Sequence, residues 1–556
     1  MNKKVCSFPI LFALLALLIG TCAVVFPASA QAAPTSTGSI TVSGTVASSY
    51  DAHQIFSANV VDGDGDAKTA TDLAWASDAV RDAALPVLHS AGMPNSQTTA
   101  QEAAEWLNTD SHLTSALSAQ LARSLQSSGA VSVALNAGTT AELPCGYWLI
   151  VADDDAIDQG EAGTAPIMAL VGGSAVTVKP KAATPKVAKH VLEDGTAAWQ
   201  KAADATVADD LYWRLSATVP AGLTAYDTYT VQFVDTMSAG LDPSKVVASM
   251  RVYVAAGADG GFGAVSTGKD GCAGTEPAKG WTDITAQCAT KVAADGKTFT
   301  VRTGDLIAAL GGADAFAAGA RVVAVYNAPL NSACNHGIAK GNPNEVYLRY
   351  PRSPFADQSG DAGFTRTPSD DACAYTWDLA LTKRGSDGDK PLAGAVLSIA
   401  DDRGRTLAAD GTWDAEGKAT VTTGEDGRVT VSGVDSGKLE VRELKAPKGY
   451  TAFEGARSVT VKAEGLDVDQ VAAAKPKLTI TAESPLRADS ADGSTGSLEA
   501  SLINTPTGTP PSIATGGFMP STGDMAMYAA AAAAVAGAAL IVVALLVKRG
   551  GGSHKE

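Results

Sequence analysis

The sequence predicts a mainly β chain of three tandem domains: an N-terminal α+β domain, then two β-sandwiches, with a C-terminal transmembrane helix. Three observations predict it. At 556 residues the chain has room for three to four domains of roughly 150 residues each. Its 56 glycines, its 6% aromatic content and its many Thr, Val, Asp and Ala residues suit short strands joined by tight turns. Period-two alternation of apolar and polar residues recurs along most of the chain, broken by one helical segment and one long apolar run near the end.

The elements follow in order. Lys3 and Lys4, the apolar run Leu11 to Val25 and the small-residue site Pro27-Ala28-Ser29-Ala30 make residues 1–30 a secretory signal peptide. The first domain, 31–182, opens on a strand in which Ile40, Val42, Gly44 and Val46 alternate with Thr41, Ser43 and Thr45. Residues 76–127 hold two or three helices, because Leu113, Leu117, Leu121 and Leu125 recur every fourth position and Ala103, Trp106 and Leu107 form an earlier apolar face. Strands resume at Val131–Leu135 and Tyr147–Val151, and a Pro/Lys/Ala stretch from Lys179 to Pro185 is a linker. The second domain, 183–360, carries strand patterns at Tyr229-Val231-Phe233 and Val322-Val323-Val325, with a Gly-rich insertion from Ala256 to Gly263. A polar stretch, Ser353 to Asp371, marks the next boundary, and the third domain, 372–506, alternates at Ala419-Val421 and Val429-Val431. Residues 507–518 are a Thr/Pro/Gly stalk too poor in apolar residues to pack. After Met519-Pro520-Ser521-Thr522-Gly523, residues 525–547 run without a charge, long enough for a bilayer core of about 30 Å. Lys548 and Arg549 open the tail 548–556 and favour its cytoplasmic placement, which leaves the bulk of the chain outside.

Several function classes are disfavoured. The 42 basic against 59 acidic side chains, a net charge of −17, argue against nucleic acid as a partner. Residues 31–178 hold 16 acidic and 3 basic side chains, so much of that acidity lies in the first domain. Seven cysteines without a Cys-x2-Cys pair and six isolated histidines give no metal site. The run Asp62 to Asp66 is a solvated turn rather than a calcium loop, since the twelfth position of an EF-hand count is Leu73. No phosphate loop, dinucleotide fingerprint or Gly-x-Ser-x-Gly elbow occurs, so neither a cofactor nor an enzyme is expected. Cys145 has no indicated base and is expected to be a buried structural cysteine. Export allows disulfides; Cys272 with Cys288 and Cys334 with Cys373 are the expected pairs, with connectivity left open by spacing.

The order Met519-Pro520-Ser521-Thr522-Gly523, apolar span, basic tail resembles the sorting signal of Gram-positive surface proteins, with Met519 at the usual Leu position. The resemblance implies that a sortase attacks the Thr522 carbonyl, releases Gly523 onward and passes the acyl group to an amine. In the third domain, Leu379-Ala380-Leu381-Thr382-Lys383, Lys390-Pro391-Leu392-Ala393-Gly394-Ala395, Val441-Arg442-Glu443 with Ala446-Pro447-Lys448-Gly449-Tyr450, and Leu502-Ile503-Asn504-Thr505-Pro506 resemble the prealbumin-like domain of collagen-binding-protein B type found in Gram-positive pilins. That resemblance implies an intramolecular amide between Lys383 and Asn504 assisted by Glu443. The second domain is similar to the central isopeptide-forming domain of fimbrial backbone subunits, through Lys186-Val187-Ala188-Lys189-His190-Val191, Phe233-Val234-Asp235-Thr236 and Gly341-Asn342-Pro343-Asn344-Glu345. It implies the set Lys189, Asp235 and Asn344; Lys186 and Asn342 stay open as alternatives, with Lys189 preferred because it shares a strand face with Val187 and Val191.

These residue types suit the chemistry. A lysine in an apolar core loses its proton more easily and becomes a nucleophile, and a buried carboxyl keeps its proton and can assist as ammonia leaves. The first domain lacks such a set, since Lys68 is its only lysine before Lys179. Val176-Thr177-Val178-Lys179-Pro180-Lys181 resembles the pilin motif Val-Tyr-Pro-Lys, with Lys181 as the intersubunit acceptor and Lys179 as the alternative. Gly146-Tyr147-Trp148-Leu149 and Gly163-Thr164-Ala165-Pro166-Ile167 are similar to the N-terminal domain of the same subunits. Together the resemblances imply a pilus backbone subunit at the cell wall, joined to copies of itself, to peptidoglycan, and to minor pilins or host surface ligands. The alternative is an adhesin attached singly to the wall.

Overall fold

The computed structural model describes residues 36–508, apart from 45, 65–66, 110, 164, 181–183 and 258–279. The signal peptide, Lys181, Cys272, the stalk beyond 508, the pentapeptide Met519–Gly523 and the span 525–547 lie outside the described residues. Among the described residues no helix is long and apolar enough to cross a membrane.

The first domain is α+β. Its long strand Ser49–Asp62 sits in a five-stranded sheet with Lys68–Trp75, Val133–Asn136, Gly146–Ala152 and Ile167–Val171, beside a three-stranded sheet of Thr140–Pro144, Thr37–Val42 and Val176–Val178. Tyr50 and Ala52 pack toward the smaller sheet, while Ile55 and Phe56 pack under three helices. Each helix has a visible reason to start. The Ser77 side chain caps α1 (Asp78–Ser90), Thr99 and Glu102 form a capping box on α2 (Ala100–Asn108), and Thr114 caps α3 (Ser115–Ser128). Gly129, at φ 70°, ends α3 in the left-handed conformation. Leu117, Leu121 and Leu125 are buried, as the fourfold spacing predicts. Leu113 breaks the series: it precedes the Thr114 cap, lies outside the helix and is exposed.

The second domain is a sandwich of two sheets. One runs Ala198–Gln200, Lys186–Glu193, Tyr212–Val219, Ala320–Asn327, Arg251–Ala256, Thr282–Asp283. The other runs Ala202–Asp204, Asp370–Tyr375, Asn342–Pro351, Gln232–Met237, Thr298–Arg302, Ala289–Val292, with Phe364–Arg366 also paired to Asn342–Pro351. The core between them is built from residues such as Trp213, Phe233, Phe299 and Tyr326. The polar stretch 353–371, read above as a boundary, instead supplies the strand Phe364–Arg366 and the start of Asp370–Tyr375, so the second domain extends past residue 360. Their hydrogen-bonding partners are distant in sequence, which is why local polarity misleads there.

In the third domain the strands Trp377–Gly385 and Ser497–Pro506 lie side by side and parallel, with Lys383 opposite Leu502 and Gly385 opposite Asn504. A second sheet, centred on Val396–Ala400, Gly437–Lys445 and Ala456–Glu464, covers them. No flexible connector separates this domain from the second. Asp370–Tyr375 pairs in parallel with Ala202–Asp204, and the alternation of its side chains serves two cores: Ala372 and Ala374 face the second domain, Cys373 and Tyr375 the third. Only Thr376 stands between that strand and the first strand of the third domain.

The cysteines depart from expectation. Cys334 and Cys373 are both free and buried rather than joined: Cys334 belongs to the second-domain core and Cys373 to the third-domain core, on the far face of the shared strand. Cys288 is free and half-buried, its thiol 3.2 Å from the Ile284 carbonyl, and its expected partner Cys272 lies outside the described residues. Cys145 is buried, as expected.

The junction yields a stability prediction. The fully buried Trp377 donates its indole N–H to Asp204 Oδ2 at 2.6 Å, tying the third domain to the second. Trp377→Phe keeps a ring but removes that donor, and is expected to cost about 1–3 kcal/mol, measured as a lower denaturant midpoint; an unchanged midpoint would show that the contact contributes nothing.

Candidate functional site

Two buried lysine–acid–asparagine sets form in separate cores. In the third domain the Lys383 side chain turns into the sandwich from the first strand, fully buried, and its amine donates to Asn504 Oδ1 on the adjacent parallel strand. Glu443 reaches in from the opposite sheet. Its Oε1 accepts from Asn504 Nδ2 at 2.9 Å and lies 3.4 Å from Lys383 Nζ, while its Oε2 accepts from the Phe453 N–H at 3.1 Å. One carboxyl oxygen therefore touches both the nucleophile and the nitrogen that would leave. Burial lowers the Lys383 ammonium pKa to about 8, against the pull of Glu443.

The second-domain set is built differently. Lys189 belongs to one sheet, whereas Asp235 and Asn344 belong to the other, so this set spans the core between sheets. All three side chains are buried. Lys189 Nζ pairs with Asp235 Oδ2 and donates to the Tyr326 hydroxyl at 2.9 Å. That hydroxyl donates to Asp235 Oδ2 at 3.0 Å and accepts from Asn344 Nδ2 at 2.8 Å. Desolvation lowers the Lys189 pKa to about 8 and raises that of Asp235, the two directions that favour a neutral amine beside a neutral carboxyl. Trp213 and Tyr326 present ring faces 5.5 and 5.4 Å from the lysine nitrogen.

The alternatives separate on burial and hydrogen bonding. Lys186 is exposed at the start of the strand, three residues from the core-facing Lys189. Asn342 is buried but committed: its Oδ1 accepts from the Asn335 N–H at 2.8 Å and its Nδ2 donates to the carbonyls of Asn335 at 2.9 Å and Ala374 at 3.2 Å. Asn344 has one bond from Nδ2, and its Oδ1 is buried without a partner, as is Asp235 Oδ1. Lys179 is exposed just beyond the edge strand Val176–Val178.

Tyr326 escaped the sequence reading. The available signal is its phase: it follows Val322 and Ala324 on the core-facing side of a strand buried at every position, where a phenol needs a polar partner. Also unread was a carboxylate cluster at the domain junction, where Glu193, Asp194 and Asp435 bring oxygens within 4.8 Å of one another. Burial, reinforced by the neighbouring Asp204, raises the Glu193 pKa to about 8 and that of Asp435 as well.

Parts of this chain are similar to known proteins. Residues 378–475 match the family described as SpaA, prealbumin-like fold domain. The chain is 31% identical over 134 residues to the trypsin-resistant surface T6 protein of Streptococcus pyogenes serotype M6, an alignment that spans 23% of this chain and 23% of that protein. Among solved structures it is similar to the T6 backbone pilin of serotype M6 Streptococcus pyogenes, with a TM-score of 0.45, 16% identity, and coverage of 85% of this chain and 98% of that one. It is also similar to the full-length major pilin SpaD of Corynebacterium diphtheriae, with a TM-score of 0.41, 16% identity, and coverage of 86% and 100%. The full-length major pilin RrgB of Streptococcus pneumoniae gives a TM-score of 0.36, 14% identity, and coverage of 67% and 85%. The three solved structures are those of a backbone pilin and two full-length major pilins.

The contrast between the two asparagines can be tested directly. Asn342→Ala removes three hydrogen bonds and leaves the Asn335 N–H and two carbonyls to find other partners, so it should destabilise the second domain by about 1–3 kcal/mol in a denaturant titration. A neutral effect would show that water replaces the lost side chain.

Proposed function

We propose that this chain is the backbone subunit of a covalently polymerised, cell-wall-anchored pilus, stabilised by intramolecular amide bonds Lys383–Asn504 and Lys189–Asn344. The observation that carries this reading is the Lys383–Glu443–Asn504 geometry: a desolvated amine against an asparagine side chain, with one carboxyl oxygen in reach of both nitrogens. In the reaction, neutral Lys383 Nζ attacks Asn504 Cγ, Glu443 takes a proton from Nζ and returns it to Nδ2, the Cγ–Nδ2 bond breaks and ammonia departs. The chain does this once, on itself, so it is a substrate of its own chemistry rather than a turnover enzyme.

Each bond would close a long segment, 121 residues apart in sequence for Lys383 and Asn504. By analogy with disulfides, that constrains the unfolded chain by about 5 kcal/mol. The mechanical gain is larger, because tension entering the last strand of the third domain passes into its first strand through an amide instead of peeling hydrogen bonds apart. The 31% identity to the trypsin-resistant surface T6 protein supports a place at the cell surface for this chain. In that reading a sortase cleaves between Thr522 and Gly523 after the span 525–547 has held the chain at the membrane, and joins Thr522 to Lys181 of the next subunit.

Three outcomes test this. Intact mass should fall short of the sequence mass by about 17 Da per bond, by one bond fewer in Lys383→Ala or Glu443→Ala; an unshifted mass eliminates the crosslinks. Because both buried lysines have pKa values lowered to about 8, bond formation should accelerate about tenfold per pH unit up to pH 8 and then level off. Extracted wall should show a detergent-resistant ladder that collapses in Lys181→Ala and persists in Lys179→Ala. Single wall-linked chains with no ladder would favour the adhesin.

A further inference from the structure

The two sets differ in the length of their acid, and the difference assigns a role to a residue no motif contains. In the third domain Glu443 Oε1 contacts the departing nitrogen of Asn504 directly, at 2.9 Å. Asp235 is one methylene shorter. Its Oδ2 reaches Lys189 Nζ, but the contact to Asn344 Nδ2 is made by the Tyr326 hydroxyl, at 2.8 Å. That hydroxyl sits 2.9 Å from Lys189 Nζ and 3.0 Å from Asp235 Oδ2, so its hydrogen and both lone pairs are in use. We propose that Tyr326 is a catalytic residue of the second domain, the proton relay that lets an aspartate do there what a glutamate does alone in the third.

This rests on the isopeptide reading of the preceding subsection. The step balances. Lys189 Nζ attacks Asn344 Cγ and forms the new C–N bond; Tyr326 gives its hydroxyl proton to Nδ2 as Cγ–Nδ2 breaks. The protonated Asp235 carboxyl restores the phenol, and the proton shed by Nζ restores the carboxyl. The products are one amide and one ammonia, with no net change at Tyr326 or Asp235. Position is fixed before the reaction: the ring is fully buried on the strand Ala320–Asn327 and lies edge-on to Phe299 at 4.8 Å between centroids. Burial holds the phenol well above its ordinary pKa, so it keeps the proton it has to donate.

The test is the full chain made by cell-free synthesis and sampled over time by intact mass and by peptide mapping of both crosslinks. Tyr326→Phe keeps the ring and its packing, and should slow the 189–344 bond by about 10²-fold or more while the 383–504 bond in the same molecule forms at the wild-type rate. Adding the longer acid, Tyr326→Phe with Asp235→Glu, should restore much of the lost rate, which a merely structural phenol would not allow. A Tyr326→Phe chain that crosslinks at the wild-type rate overturns the relay while leaving the bond intact. A double variant that stays unlinked, with its third domain crosslinked, marks the hydroxyl as structural and also overturns it. A wild-type chain with no 189–344 bond overturns the isopeptide reading of this domain and the relay together.

Discussion

Everything in the two sandwiches is arranged around a cost: a lysine amine held inside an apolar core. An isolated ammonium cannot be buried without severe desolvation, so the structure surrounds each amine with a carboxyl and an amide and tips its proton equilibrium toward the neutral form. Lys189 lies between Trp213, Tyr326 and Asp235 with no exposure; Lys383 lies between Asn504 and Glu443. A buried amine, acid and amide is an expensive way to fill space, and a methionine would pack there with fewer obligations. The orphaned Oδ1 atoms of Asp235 and Asn344 add to the expense, and orphaned polar atoms of this kind call for an explanation beyond packing.

The topology makes that cost useful in two geometries. In the third domain the lysine and asparagine lie on neighbouring parallel strands, one the first and the other the last of the domain, so a bond between them would staple a sheet along its line of load. In the second domain they lie on opposite sheets, so a bond would clamp the sandwich across its core. The domains meet through a shared strand whose alternate side chains enter both cores. Force applied to one domain would therefore reach the other through a hydrogen-bonded ladder.

Much of this was legible before the fold was known, for local reasons. The Leu117–Leu121–Leu125 spacing marks a helix within a few residues of sequence, and the phase of Val187, Lys189 and Val191 puts Lys189 on the core face while Lys186 is exposed. What failed was non-local. The stretch 353–371 is polar yet contributes strands because its partners lie elsewhere in the chain, and Leu113 fits a helical period that the Thr114 cap cuts short. The expected Cys334–Cys373 pair fails because strand alternation turns Cys373 into the third-domain core, whereas Cys334, outside any strand, packs into the second.

The sequence by itself determined the helical insert near its start and the strand patterns that carry Lys189, Asp235 and Lys383, since periodicity and residue type are written along the chain. The tertiary structure decided which of them meet. Asn344 rather than Asn342 is short of hydrogen bonds because only the folded sheet brings the Asn335 backbone and the Ala374 carbonyl to Asn342, and Tyr326 enters the site because a strand far along the chain brings a hydroxyl into the gap between a short acid and its amide. Such contacts join residues 137 and 18 positions apart, a reach no local pattern encodes.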